Sequence, residues 1–526
     1  MKVYEGSIIT CDAEGSLAHF LVEDGGRIAY VGDELPQAYA AAPKIDLGEK
    51  ALLPAFGDTH IHFMSYALFS AGLDLRGART IEDSKDAITG FVSERSPAFV
   101  LGFGASAHSV AEKRILTRDD IDVACPDRPA FIVKYDGHAG VANSALIGQV
   151  KAKLGDLRGF DAESGLMTQE AFFRVTDFIT GKVSLPSTLG NMLSAIDTLA
   201  GYGLGIVHSV TGIGFPGDMD VTLESLFARG LANSIAYRVF FQTMDVAKVL
   251  KRKLPRIGGC FATALDGCYG SVDAAMLERY EAATGLPSEQ AKGILYYSDK
   301  RVATFCREAN RAGLQIEMHA IGDAAFEQAV SAIASSLADF PREDHRHTII
   351  HACLPTMRGL ETCAKLGIHI AIQPGFLQWE QEPLEYIESI MGKRANNISP
   401  LRTMVDMGIV LSGGSDAPCT VPNPIDGIWA ACNHYVPAQS LSIQEALNLY
   451  TRNAALISFD EKDRGSFEKG KRADMIVVNR NPLAFNKADL RSLKVERLLL
   501  EGKPYVPGQG KAGLIAHGLM NGGKGI

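Results

Sequence analysis

Through the middle of this 526-residue chain, short apolar, β-branched segments alternate with longer helical patterns such as "SEQAKGILYYSDKRVATFCREANRAG". That alternation is the layout of a parallel sheet with crossover helices. Ten segments read as strands: "LLPAFGDTHIHF", "FVLGFG", "FIVKYDGH", "GIVHSV", "IAYRVFF", "GGCFATALDG", "LQIEMHAIGD", "HTIIHA", "IHIAIQP" and "GIVLSGGSD". An eight-stranded barrel needs two of them outside it. "FVLGFG" and "FIVKYDGH" are the best candidates, placed in a long insertion at about residues 70–190. An α/β barrel with insertions can absorb most of a chain this long in one unit.

The termini have a different character. "KVYEGSIIT", "HFLVEDGGRIAYVG" and "KIDLGEKALL" near the start, and "GSFEKGKRADMIVVNRNP" and "VERLLLEGKPYV" near the end, are short β-like stretches broken by Gly and acidic turns. Residues 1–54 and 456–510 are therefore expected to build one β assembly around a central domain at 55–455. The Gly-rich stretch 511–526 reads as a flexible tail.

Charge and composition narrow the partners. Hydrophobic residues make up 46% and charged residues 21%, as in ordinary globular proteins. The formal charge of −9 comes without long runs of one sign, so no nucleic-acid or anionic-membrane footprint is present. Small neutral or cationic ligands fit better, and homo-oligomerisation stays open. Nine scattered cysteines, odd in number and without a C-x-x-C pair, suggest reduced thiols and a cytoplasmic location. No apolar run approaches a membrane span, and the start carries no long apolar h-region, so no export is expected.

The chemistry begins with "GDTHIHFMSY", where His60 and His62 close an apolar run. Positions i and i+2 of a strand share a side, so both imidazoles project beyond the strand end. H-x-H alone also fits an ordinary polar pair. Other apolar runs, however, finish on His208, His319, His351 and Asp416. In a parallel barrel all strand C-termini open on one face, so these residues can converge there. Together they offer N and O ligands suited to Zn²⁺ or a similar divalent ion. Plainer readings stand beside these. His208 reads as a hydrogen-bonded core histidine, Lys134 as a snorkelling side chain, and Asp416 in "SDAP" as a local cap. His345, His347, His369, His434 and His517 take no role.

The motifs "GDTHIHF" (57–63), "YDGHAGVANSAL" (135–146), "MHAIGDAAFEQAV" (318–330), "IIHACL" (349–354), "IAIQPGF" (370–376), "GGSDAPCTVPNPIDGI" (413–428) and "GSFEKGKRADMIVV" (465–478) run in order along nearly the whole chain. Together they resemble the amidohydrolase superfamily, within it the large amidohydrolases that include N-substituted formamide deformylases. The resemblance implies a (β/α)8 TIM-type barrel with a composite β-sandwich from both termini. It implies metal binding at His60, His62, His319 and His351, and a metal-linked general base at Asp416. It also brings Asp136 and His138 near the substrate, although Asp136 with Gly137 can equally be a simple turn.

One departure stands out. Two-metal relatives carry a carboxylated bridging lysine shortly before an Asp-Gly pair on the fourth strand. In "RIGGCFATALDGCYG" no lysine stands between Arg256 and Asp266. A single metal, with zinc favoured, is therefore expected. Cys260 reads as a buried structural cysteine; as a thiolate it is the one route to a second ion.

The resulting expectation is a metal-dependent hydrolase of a non-peptide C–N bond, an amide or formamide, with Asp416 as general base and His351 or His138 at the oxyanion. The alternatives are a heterocycle deaminase of the same superfamily and a non-catalytic ligand-binding barrel.

Overall fold

A computed structural model describes residues 1–155, 157–231, 235–281, 284–287, 290–508, 518 and 520. Apart from 518 and 520, the expected tail at 511–526 lies outside the described residues.

Eight parallel strands form the centre: β1 (Phe56–Ile61), β2 (Leu204–Thr211), β3 (Ala236–Phe241), β4 (Arg256–Ala264), β5 (Gln315–Ala320), β6 (Thr348–His351), β7 (His369–Ile372) and β8 (Leu411–Gly413). Each pairs with its neighbour in sequence order, from β1–β2 to β7–β8. The ring closes between β8 and β1. The Thr59 hydroxyl donates to Ser412 Oγ at 2.9 Å, and just beyond the strands Asp416 N donates to His60 O at 2.8 Å. β1, β2, β5, β6 and β8 are buried at every position, as expected for strands covered on both faces. Amphipathic helices such as Asp299–Arg311 and Met357–Leu366 pack outside, burying Val302, Phe305, Cys306, Leu360 and Cys363.

One end of the barrel is plugged. The helix Arg452–Ile457 lies across it. Gln315 Nε2 donates to Ile457 O at 3.0 Å, Arg256 Nη2 donates to Ser458 O at 3.2 Å, and His208 Nε2 lies 2.5 Å from Ser458 Oγ. His208 is thus a core histidine tied to the plug. Access to the barrel interior is from the strand C-termini.

"FVLGFG" and "FIVKYDGH" do lie outside the barrel. Val100–Ala105 and Ala130–Lys134 sit in a five-stranded sheet with Leu73–Asp74, Ala139–Ala142 and Leu166–Thr168, all between β1 and β2 in sequence. Both termini join a single seven-stranded sheet, in which Lys44–Pro54 pairs with Lys2–Ile9 on one side and Met475–Val478 on the other. This sheet curls around a core of its own, including Tyr4, Ile8, Leu21, Leu52, Met475 and Leu499. Lys44–Pro54 runs almost directly into β1, which anchors the strand that carries His60. No helix of the described residues is long and apolar enough to cross a membrane.

Candidate active site

His60 and His62 end β1, and His62 is the residue from which the next helix, Phe63–Ser70, departs. Asp58, on the same strand, accepts from His60 N and Ser415 N, each at 3.1 Å, so one carboxylate clamps the β1 end to the loop that carries Asp416. His319 is the next-to-last residue of β5 and His351 closes β6. Left-handed backbone concentrates here in non-glycine residues: φ is 45° at Phe261, 70° at His351, 46° at Ala352 and 54° at Asp416. Such strain gathers where a site is being held in shape.

β4 contributes a donor that the sequence alone assigns to the core. Gly258 and Gly259 have φ of 106° and 135°, and the pairing with β5 slips between Gly259 and Ala264. A Cβ at Gly258 would lie 1.9 Å from Glu317 O, so this bulge demands glycine. It delivers the Cys260 thiol into the barrel mouth. There Sγ lies 3.2 Å from His60 Nε2 and 3.7 Å from His351 Nε2.

The five residues expected as ligands come together with Cys260. Asp416 Oδ1 is 3.1 Å from His60 Nε2 and 3.2 Å from His62 Nε2. The rings of His319 and His351 are 4.6 Å apart, and those of His60 and His351 5.5 Å. Two groups of donor atoms result, each within 4.8 Å: His60, His62, Cys260 and Asp416, and Cys260, His319 and His351. Cys260 belongs to both. All six residues are buried, and Asp416 Oδ1 has no hydrogen-bond partner despite its closeness to two imidazoles. A buried acceptor left in this state is costly unless a cation completes it, so the donor set fits a divalent metal.

Electrostatics agree with a ligand role. Burial lowers the pKa of His60 and lowers that of His351 well below the usual histidine value, keeping both imidazoles neutral. At His319 burial acts the same way, but Asp266, 3.4 Å from Nε2, overrides it and raises the pKa. Burial pushes Asp416 up, yet His60 and His62 outweigh it and hold the carboxyl well below its ordinary range. Partners behind the ligands orient them: Gln373 Oε1 is 2.6 Å from His351 Nδ1, and Asp266 accepts from Ile321 N and Gly322 N just beyond His319. Sequence reasoning misses Gln373 and Asp266. The Asp-Gly pair after β4 is the available signal for Asp266, and for Gln373 it is the motif "IAIQPGF" that contains it.

Above the donors a cavity opens between barrel loops and the inserted sheet. Its lining includes His62, Cys260, His319, His351 and Asp416 together with Asp136 and His138. Asp136 is already engaged: Lys134 Nζ is 2.7 Å from Oδ2, and His138 N donates to Oδ1 at 3.1 Å. Its carboxylate therefore holds the His138 loop in place. Lys134, whose side chain is 13% exposed, forms this ion pair instead of extending into solvent. The His138 ring packs against Phe261, 5.1 Å between centroids, and burial lowers its pKa.

Comparison with known proteins agrees with this geometry. The model of the amidohydrolase family matches residues 44–506. The N-substituted formamide deformylase of Arthrobacter pascens is 26% identical over 95% of this chain and 97% of its own length. YtcJ of Bacillus subtilis (strain 168) is 25% identical over 95% and 98%. A crystal structure of an uncharacterized metal-dependent hydrolase from Pyrococcus furiosus superposes with a TM-score of 0.72 at 26% identity, covering 92% of this chain and 99% of that one. With a barrel of this order and a buried N, O and S donor set at its open end, the chain belongs to the amidohydrolase family and is a metal-dependent hydrolase of carbon–nitrogen bonds.

Proposed function

We propose that this protein cleaves the C–N bond of an amide, with N-substituted formamides the leading class, using divalent metal held at the barrel mouth. The observation that carries the reading is the convergence of His60, His62, His319, His351, Cys260 and Asp416 into two buried donor groups that share Cys260, with Asp416 Oδ1 making no hydrogen bond. The near full-length similarity to a formamide deformylase favours a formyl group over other acyl groups.

His60, His62 and Asp416 would hold one ion, and His319 and His351 a second, with Cys260 shared. Two dications a few ångströms apart repel strongly, and a shared thiolate offsets that repulsion. The missing lysine suggests one ion; the membership of Cys260 in both donor groups leads us to two. The mixed N, O and S set suits zinc. Bound there, such an ion supplies Lewis acidity, which polarises a carbonyl and makes a water acidic near neutrality.

The protein's own groups supply the remaining steps. Asp416, ionised beside His60 and His62, takes a proton from the attacking water as its oxygen bonds to the carbonyl carbon. It then gives that proton to the nitrogen, which leaves with the electron pair of the broken C–N bond as an amine. His351 faces Gln373 with Nδ1 and Cys260 with Nε2, so it serves as a ligand. The oxyanion contact is then left to His138, which faces the same cavity.

The test is to measure formate and amine released from a panel of N-substituted formamides beside ammonia released from amino-heterocycles. Stoichiometric formate and amine are expected. Ammonia from the heterocycles without formate release would replace this reading with a deaminase, and no turnover of either panel by metal-loaded protein would overturn the formamide assignment.

A further inference from the structure

The cavity has a direction and a sign. The His351 ring stacks on Phe376 with centroids 5.9 Å apart and 24° between planes, and Phe376 stacks on Trp379 at 4.6 Å and 18°. Trp379 meets Tyr135 edge-on at 5.0 Å, and the Tyr135 hydroxyl donates to Glu382 Oε1 at 2.8 Å. A slab of rings thus leads from a donor of the metal site to a carboxyl group at its far end. Phe69, Phe103, Phe172 and Phe173 also line the cavity. Rings at these spacings offer flat apolar surface that matches an arene.

Among the described residues, none of the side chains lining this cavity is a lysine or arginine. Of its three carboxylates, Asp416 belongs to the donor set and Asp136 is offset by Lys134. Glu382 takes its side-chain hydrogen bond from the neutral Tyr135 hydroxyl and a further one from the Gly270 backbone, and the cation that acts on it, Lys134, is already paired with Asp136. An anionic substituent at the ring-lined end, away from the metal donors, would be stripped of water and would meet ring faces and a carboxylate, with no lysine or arginine in the lining to pair with. A neutral or cationic substituent meets no such penalty, since ring faces attract cations.

We propose that the cavity selects amides whose N-substituent carries an arene and no carboxylate, and that Glu382 is the residue that rejects anions. The proposal rests on the hydrolase reading for the reacting centre but not for the charge preference, so the two can fail separately.

The binding experiment uses full-length, metal-loaded protein and two arenes with tetrahedral heads of opposite charge, phenyltrimethylammonium and benzenesulfonate, titrated by calorimetry at pH 8. Glu382, pushed up to about 7 by burial, is ionised at that pH. The cation is expected to bind at least tenfold more tightly, and Glu382→Gln to shrink that ratio severalfold. The turnover experiment compares N-formyl-2-phenylethylamine with N-formylphenylalanine, which differ by one carboxylate. The former should have a kcat/KM at least tenfold higher, with the gap narrowed in Glu382→Gln. If neither amide is hydrolysed but the cation preference holds, the formamide reading fails and the charge assignment stands. Equal or tighter binding of the sulfonate by native protein overturns the proposal even if the variant does not fold, and an unchanged ratio in a folded Glu382→Gln removes Glu382 from it.

Discussion

Two H-x-H pairs with identical spacing lie in this barrel. His60 and His62 leave the C-terminal end of β1, whereas His345 and His347 precede the N-terminal end of β6. Both pairs are buried. At the β6 entrance every ring nitrogen has a partner: His345 Nε2 with Leu366 O at 2.9 Å, His345 Nδ1 with His347 N at 2.9 Å, His347 Nδ1 with Ile316 N at 3.1 Å, and His347 Nε2 with Asn310 Oδ1 at 3.1 Å. At the β1 exit the Nε2 atoms instead point at Asp416 and, from His60, at Cys260, while His60 Nδ1 has no partner. The same spacing thus gives a satisfied polar core at one strand end and an incomplete coordination shell at the other. Position along the strand decides between them, because side chains converge on the cavity only at the C-terminal mouth.

The largest expected contrast is between the two pairs themselves. Replacing His60 and His62 with Ala should abolish hydrolysis and lower metal content while leaving the circular dichroism spectrum near native. Retention of full metal content would break the comparison. Next in size is Asp416→Asn, which keeps the shape but removes the base; turnover should fall by roughly a hundredfold or more, the usual scale for losing general-base help. Near-normal turnover would exclude the role. Gln373→Ala should weaken metal binding by roughly tenfold, since the partner that orients a ligating histidine commonly contributes that much; a chelator titration reads it. The smallest effect on chemistry belongs to His347→Ala, which strips partners from Asn310 and Ile316 N and should cost about 1–3 kcal/mol of stability, read as a lower Tm, with metal content unchanged. Metal loss in that variant would mean that the β6 entrance is coupled to the metal site after all.

Much of this contrast is legible in the amino-acid sequence. The alternation of apolar strands and amphipathic helices marks all eight barrel segments, and the residues ending them include His60, His62, His319, His351 and Asp416. The resemblance of the motifs adds what spacing does not, since H-x-H at 60–62 and H-R-H at 345–347 look alike as patterns. Cys260 reads first as a structural cysteine, because a buried thiol on a strand usually is one, with a bridging thiolate as its other reading. Its orientation depends on a bulge, and the only trace of that bulge is the Gly258–Gly259 pair. Gln373 stands in the motif "IAIQPGF" but its role does not show there, because it acts through contact with a ligand distant in sequence, and Glu382 leaves no signal, because it matters through what does not line the cavity beside it. The fold of the termini is visible as β-like stretches, but their joining into a single seven-stranded sheet depends on pairing between residues more than four hundred positions apart.

The central claim is that the open end of the barrel holds metal through a donor set in which Cys260 is shared. Elemental analysis of the native protein and of Cys260→Ala, both folded by circular dichroism, tests it most directly. The account predicts about two divalent ions per chain in the native protein and no more than one in the variant. One ion per chain in both would contradict it, returning Cys260 to a structural role and the site to a single metal.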